Sequence, residues 1–309
     1  MTVIRGVGVV GAGIMGRRMM AALQQHPGFE VAALWDPHTA AAQSALPDGA
    51  RLAAGLQALA QDPAVQLVYV ASPPAAHLEG VLAAVAARKA VLCEKPLAHT
   101  VAQAQALRDA VAAAALPCAV NFPFARSPAA LRLVDLLRSG ALGAVQQATV
   151  RLRFAQWPRP WQAGAADWLA GPAQGGFTRE VLSHFVFLAQ RLFGPAEVAG
   201  VVLERAPGGS ETRLQARLVH AAVTLHVDAA VAGTVADDNR FEIVGSRDRA
   251  ALVNWASLEH GGSTTPRVDS SGATLDALAA LLDGDPAHGL ATADEALAVV
   301  RIVEAMVGA

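Results

Sequence analysis

Val7-Gly8-Val9-Val10-Gly11-Ala12-Gly13-Ile14-Met15-Gly16 places three glycines, spaced G-x-G-x-x-G, directly after a strand-forming run and at the head of a helix-period segment, Ile14 to Gln25. Strand, glycine turn and helix in that order are the context in which this spacing carries chemistry. Gly11 permits the tight turn, Gly13 lets backbone approach a pyrophosphate, and Gly16 allows the helix to pack closely on the strand. The helix N-terminus, with its unpaired N–H groups, is then aimed at phosphate. Ile14 and Met15 fill the variable places of the motif and belong to the same cofactor-binding loop.

Asp36 ends a second strand pattern, Val31 to Trp35, twenty residues beyond Gly16. A carboxylate there hydrogen-bonds the ribose hydroxyls of a dinucleotide and repels a 2′-phosphate, and Pro37-His38 offers no arginine to receive one. NAD is the expected cofactor, with NADP as the alternative. Asp36 also reads, more blandly, as the start of an Asp-Pro turn.

Outward from this stretch, apolar runs at Leu67 to Ala71, Ala90 to Cys93 and Cys118 to Phe122 alternate with helical patterns at His77 to Arg88 and Thr100 to Ala115. Such alternation predicts parallel strands joined by right-handed crossovers. After about residue 120 the pattern changes: a helix at Pro128 to Ser139, a strand at Ala144 to Ala155, a long loop from Trp157 to Gln174 and a helix from Phe177 to Leu192. Strands follow at Glu197 to Arg205, Thr212 to Val219, Ala222 to Ala230, Arg240 to Gly245 and Ala250 to Trp255, then helices at Leu275 to Leu282 and Thr292 to Val307. The last helix opens with a Thr292-x-x-Glu295 capping signal. Pro207 to Ser210 and His260 to Thr265 read as flexible. The expected fold class is α/β: an N-terminal Rossmann dinucleotide-binding domain over 1–120, and over 121–309 an α+β domain for substrate and oligomerisation with a mostly antiparallel open sheet.

The chain has 309 residues, 24 Lys or Arg against 26 Asp or Glu, and no basic run. Nucleic acid and anionic membrane are therefore not expected partners. A strand pattern begins within a few residues without a basic-then-apolar leader, and no apolar stretch reaches ~20 residues. A cytoplasmic location follows as an expectation. Cys93 and Cys118 suit reduced, packed thiols, and the nine histidines show no metal-ligand spacing. Only Lys89 and Lys95 are lysine and only Tyr69 is tyrosine. Where arginine serves everywhere else, a retained lysine points to an amine that can lose its proton.

Ser72-Pro73-Pro74-Ala-Ala-His77 and Glu94-Lys95-Pro96 fall after later strands, at the sheet edge where open α/β folds bind ligands. Ser72, Pro73, His77, Glu94 and Lys95 are thus placed at the cofactor, and the Lys95 ammonium can also donate to a carbonyl or alkoxide oxygen. A surface lysine is the alternative. Further on, Gly175-Gly176-Phe-Thr-Arg179-Glu180-Val-Leu-Ser183-His184 leads into a helix with Glu180 and His184 four residues apart. On an α-helix they share a face, so Glu180 can orient an imidazole that exchanges a substrate proton. Arg179, Trp157 and Trp161 are candidate substrate contacts, for a small molecule with an apolar face and an anionic group. Trp168, Phe177, Arg153 and Arg159 carry the same character. The competing reading gives Arg179 a carboxylate partner and makes the tryptophans packing.

Together with Arg126-x-Pro128 and the Ser139-Gly140-x-Leu142-Gly143 turn, these motifs resemble the glucose–fructose oxidoreductase, inositol dehydrogenase and rhizopine-catabolism (Gfo/Idh/MocA) family over essentially the whole chain. The resemblance implies catalysis by Lys95 and His184, and a homodimer or homotetramer through the C-terminal sheet. Glu180 stands where the family usually has Asp, Phe187 and Leu188 where a second carboxylate is common, and Asn121-Phe-Pro-Phe124-Ala where Gly-x-x-Arg-Arg is usual. These departures put a standard sugar or inositol substrate in question. The expected function is hydride transfer between NAD(P) and a small hydroxyl or carbonyl compound. The alternatives are reduction of a less polar imine, carbonyl or cyclic diol, and a non-catalytic NAD(P)-binding regulator.

Overall fold

The computed structural model describes residues 4–308. The chain divides into two compact units, Met1–Phe122 with Ser271–Leu297 and Pro123–Ser270 with Ala298–Ala309. Composition alone suggests one boundary near 120. The segment Ser271–Leu297 departs from that because its Leu275 and Leu278 bury in the same core as Leu23, Phe29 and Val31.

In the first unit the elements run β1 (Arg5–Val10), α1 (Ile14–Gln25), β2 (Phe29–Trp35), α2 (Thr39–Ala45), β3 (Arg51–Leu52), α3 (Leu56–Gln61) and β4 (Leu67–Val70). They continue with α4 (His77–Ala86), β5 (Ala90–Glu94), α5 (Val101–Ala114) and β6 (Cys118–Asn121). Every strand pair is parallel, in the order β3-β2-β1-β4-β5-β6. Strands covered on both faces carry no polar alternation, which is why Leu67 to Val70 and Ala90 to Glu94 are buried throughout. Alanines on α4 and α5 let the helices approach closely, and Thr100 caps α5 by accepting from the Gln103 N–H at 3.2 Å. The strand order reverses between β1 and β4, so the crevice at their C-terminal ends is the ligand position of a doubly wound sheet.

The second unit holds α6 (Pro128–Arg138), β7 (Val145–Arg153), α7 (Ala166–Leu169), α8 (Ser183–Phe193), β8 (Ala196–Arg205), β9 (Glu211–His220) and β10 (Thr224–Ala230). After these come β11 (Asp238–Gly245), β12 (Arg249–Val253), β13 (Ser257–His260) and β14 (Ser263–Thr264). The eight strands lie in the order β14-β13-β12-β11-β7-β10-β9-β8, antiparallel except for β7 with β10. On β9 Leu214, Ala216 and Leu218 are buried while Arg213, Gln215 and Arg217 are exposed, the alternation of a sheet covered on one face.

Three local features differ from the sequence expectation. His260 to Thr265 is a hairpin, not a flexible stretch: Gly261 and Gly262 take φ of +57° and +76°, and His260 pairs with Ser263. Within Trp157 to Gln174 the chain makes a 3₁₀ stretch, Pro160–Ala165, and then α7. The helix expected from Phe177 begins with a π-helical turn, Thr178–Leu182, before α8. The final helix, Ala293–Val307, has the capping box read from its sequence, with Glu295 N–H donating to Thr292 Oγ1 at 3.1 Å and Thr292 N–H to Glu295 Oε2 at 2.9 Å. Among the described residues no helix is long and apolar enough to cross a membrane.

Candidate active site

The glycine turn has the geometry its spacing implies. Gly11 has φ +109°, and a Cβ there would lie 2.8 Å from the backbone of Ala71. A Cβ on Gly16 would lie 2.0 Å from the Gly11 carbonyl oxygen, so only glycine lets α1 sit this close to β1. Around Gly13, by contrast, a Cβ would meet nothing within 4 Å, and this residue heads α1 with no side-chain cap. A phosphate group fits that open helix N-terminus. Ser72 Oγ, after β4, is buried without a hydrogen-bond partner in the protein, a second polar group suited to a bound cofactor. Asp36 Oδ2 accepts from Ala12 N–H at 2.7 Å and Oδ1 from His38 N–H at 2.8 Å. Each carboxylate oxygen keeps acceptor capacity for a ribose hydroxyl. Arg17, which sequence reasoning passed over, spends its guanidinium on Ala12 O, Ala41 O and Ser44 Oγ.

The Lys95 loop is held from two sides. Glu94, 4% exposed, accepts at Oε1 from Tyr69 Oη and Asn121 Nδ2, both at 2.6 Å, and its Oε2 lies 3.3 Å from the Lys95 backbone N–H. The single tyrosine therefore serves this carboxylate: burial and the adjacent Glu94 charge push its phenol well up from the usual value. The Lys95–Pro96 peptide is cis. Lys89, the other lysine, donates to the carbonyls of Asp62 and Val65.

His77 is fully buried, with Nε2 2.8 Å from Ser72 O and Nδ1 3.0 Å from Pro96 O. It clamps the β4 and β5 loops together, so that both ring nitrogens face protein carbonyls. Glu94 likewise is engaged by protein groups. Two facing carbonyls would favour an imidazolium, but burial outweighs them and pushes His77 down to about 4 from 6.5. At neutral pH the ring donates to one carbonyl only. Because the unfolded chain binds this proton and the folded chain does not, stability falls as pH drops from about 6.5 through 4, by about 3 kcal/mol in all. His77→Gln is expected to flatten this part of the pH–stability curve in chemical denaturation; an unchanged slope would refute it.

In the second unit His184 is buried on α8, with Phe124 5.9 Å away and Trp255 5.1 Å away by ring centroids, the latter at an interplanar angle of 88°. Glu180 lies in the π turn, so the two do not have the α-helical register assumed for an i, i+4 pair. Its Oε1 accepts from Gln162 Nε2 at 3.2 Å and is 3.7 Å from Arg159 Nη2. Arg159, only 4% exposed, donates from Nε to Gln162 Oε1 at 2.9 Å and from Nη1 to Asp237 Oδ2 at 2.6 Å. Asp237 Oδ2 also accepts from Trp255 Nε1 at 2.8 Å. Asn254 and Trp255 form their turn at φ of +46° and +74°. A left-handed conformation costs a bulky residue about 1–2 kcal/mol. Asn239 holds that turn, accepting from Trp255 N–H at 3.0 Å through Oδ1. Sequence reasoning missed Asp237 and Trp255, which lie in turns without periodic signal.

Arg179, expected to touch substrate, is engaged by protein groups. It is 6% exposed and pairs with both carboxylate oxygens of Glu304, at 2.7 and 2.8 Å, while Nη1 donates to Pro172 O and Gly175 O. Arg153 is spent on Asp228 and on the carbonyls of Leu152 and Asp228. Trp157 donates to Leu169 O at 3.1 Å and packs with Phe154 and Phe177, and Trp161 lies over the Arg159 guanidinium at 4.6 Å. Trp157 is thus held within the protein, whereas Trp161 keeps an exposed face. Buried Glu211 accepts from Thr178 N–H at 2.6 Å beneath Gly176, whose φ is +95°, and so anchors the π turn from β9.

Residues 5–122 match the model of an oxidoreductase family with an NAD-binding Rossmann fold, and residues 130–251 match the GFO/IDH/MocA C-terminal domain. The two matches span most of the chain, and the protein belongs to the Gfo/Idh/MocA oxidoreductase family. It is 26% identical over 219 residues to levoglucosan dehydrogenase of Pseudarthrobacter phenanthrenivorans, covering 64% of this chain and 53% of that one. It is 38% identical over 151 residues to inositol 2-dehydrogenase of Acidothermus cellulolyticus, covering 44% and 41%. The chain thus spans about half the length of these curated relatives. A 3-ketoreductase from Actinomadura kijaniata, solved with NADP and TDP-benzene, shares the fold at a TM-score of 0.83 and 24% identity, over 98% of this chain and 96% of that one.

Proposed function

We propose that this protein is an NAD-dependent oxidoreductase that transfers a hydride between the cofactor and the hydroxyl- or carbonyl-bearing carbon of a small substrate with an apolar face. The observation that carries this reading is the Lys95 loop. It is fixed at Glu94 by Tyr69 and Asn121 and clamped to Ser72 by His77, at the ligand edge of the sheet that carries the glycine turn. Gly11, Gly13 and Gly16 with Ile14 and Met15 would hold the pyrophosphate, Asp36 the ribose, and Ser72 and Pro73 would line the crevice. When bound, NAD supplies the hydride acceptor. The Lys95 ammonium donates a hydrogen bond to the substrate oxygen as its charge changes, and His184 takes or returns the hydroxyl proton. Phe124 and Trp255 beside His184 favour an apolar substrate face. Arg179 adds no preference for an anionic group to this reading, because its guanidinium is taken up by Glu304, Pro172 and Gly175. The test is a screen of the purified protein with NAD and NADP against sugars, inositols, dihydrodiols, keto acids and imines, following absorbance of the reduced cofactor. Bound cofactor with no turnover across the panel would favour a regulator.

Asp36 sets the cofactor preference. With Arg17 already engaged by Ala12, Ala41 and Ser44, a 2′-phosphate would meet the Asp36 carboxylate without a ready cation. NAD is expected to bind more tightly than NADP by about tenfold or more, the worth of roughly 1.4 kcal/mol of repulsion, and Asp36→Ala should narrow the gap. Calorimetric titration of both cofactors checks this, and equal affinities in the unmodified protein would end the assignment.

A further inference from the structure

Trp255 occupies a backbone position that favours glycine, at φ +74°, in a turn between β12 and β13. The residue is half-buried, with its indole also tilted against Phe124 and Phe185 at centroid separations of 5.8 and 5.6 Å. What the turn achieves is orientation. The indole stands edge-to-face at 88° to the His184 imidazole with centroids 5.1 Å apart, the arrangement aromatic rings prefer. Nε1 is itself fixed by Asp237 Oδ2, which Arg159 also binds. From Arg159 the chain of contacts runs through Gln162 to Glu180, four residues before His184 on the same helical stretch. Indole, carboxylate, guanidinium and amide thus form a continuous chain of contacts from the imidazole's neighbour back to the helical stretch that carries His184, all within the second unit.

We propose that Trp255, fixed by Asp237 and Asn239, is a positioning residue that sets the ring orientation of His184 for proton exchange. The proposal rests on the reading of His184 as the proton-handling group. Trp255→Phe keeps an aromatic ring but lacks the Nε1–H, and Asp237→Asn keeps the shape of the chain but removes its charge. Each is expected to lower kcat about tenfold on the best substrate of the panel, with KM for NAD changed less than twofold. In a His184→Gln background neither should cost more than a further twofold, since a group acting through His184 has nothing left to position. A readout that needs no substrate is the pH titration of histidine-labelled protein by NMR, with His184 assigned from its missing signals in His184→Gln. Asp237→Asn, which does not touch the imidazole, should move the His184 signals and their titration midpoint. Superimposable His184 signals in Asp237→Asn, or full additivity with His184→Gln, would overturn the proposal. Retained turnover in His184→Gln would instead overturn the role of His184 itself, and the positioning role with it. Should Trp255→Phe fail to fold, Asp237→Asn decides alone.

Discussion

Lys95→Met is expected to lower turnover by a factor on the order of 10² or more while leaving NAD affinity within a few-fold. The side chain it replaces is one of two lysines in the chain, and the other, Lys89, is tied to the carbonyls of Asp62 and Val65. Methionine matches the length and apolar stem of lysine but cannot donate a hydrogen bond, so the packing of the loop survives while the proton chemistry does not. The loop is held by Glu94 and His77 and not by the ammonium alone, which is why cofactor binding should persist. Steady-state rates on a substrate from the panel, alongside calorimetric NAD binding, separate the two effects. A variant that keeps most of its rate would reduce Lys95 to a structural lysine.

Arg179→Met is expected to act on stability and not on substrate choice. The substitution leaves the Glu304 carboxylate and the carbonyls of Pro172 and Gly175 without their donor in a largely buried setting. Breaking one side of such a pair costs about 3 kcal/mol, and the partial exposure of Glu304 puts the loss toward the low end of the usual range. The thermal midpoint should fall by on the order of 10 °C. Residual kcat/KM, measured well below that midpoint, should drop equally for substrates with and without a carboxylate. A selective loss on carboxylated substrates, with the midpoint unchanged, would restore Arg179 to the substrate site.

The first unit was legible because its information is local. Each parallel strand is a short apolar run, each crossover a helical period, and the glycine spacing acts within ten residues of β1. The sheet of the second unit was legible for the same reason, through alternation on β9 and β11. What stayed hidden depends on partners far apart in sequence. Arg179 looks like a ligand group until Glu304, 125 residues away, is seen to take it. Asp237 and Trp255 sit in turns, where no periodicity marks a residue, and the return of Leu275 and Leu278 to the first core leaves no trace in composition. Glu180 was assigned correctly to the helix of His184 but with the wrong local geometry, because nothing in Thr178–Leu182 announces a π turn.

That π turn has an evolutionary side. In an α-helix it amounts to one inserted residue, which the chain absorbs by a wider ring of backbone bonds. Without such a turn, a residue gained or lost would rotate everything beyond it by about 100° about the axis. Glu211 braces the turn from β9 by accepting from Thr178, so the insertion is locked in place and not left to slide along the helix. The direction in which His184 points is thus insulated by the turn from a one-residue difference in chain length between Gly176 and Ser183.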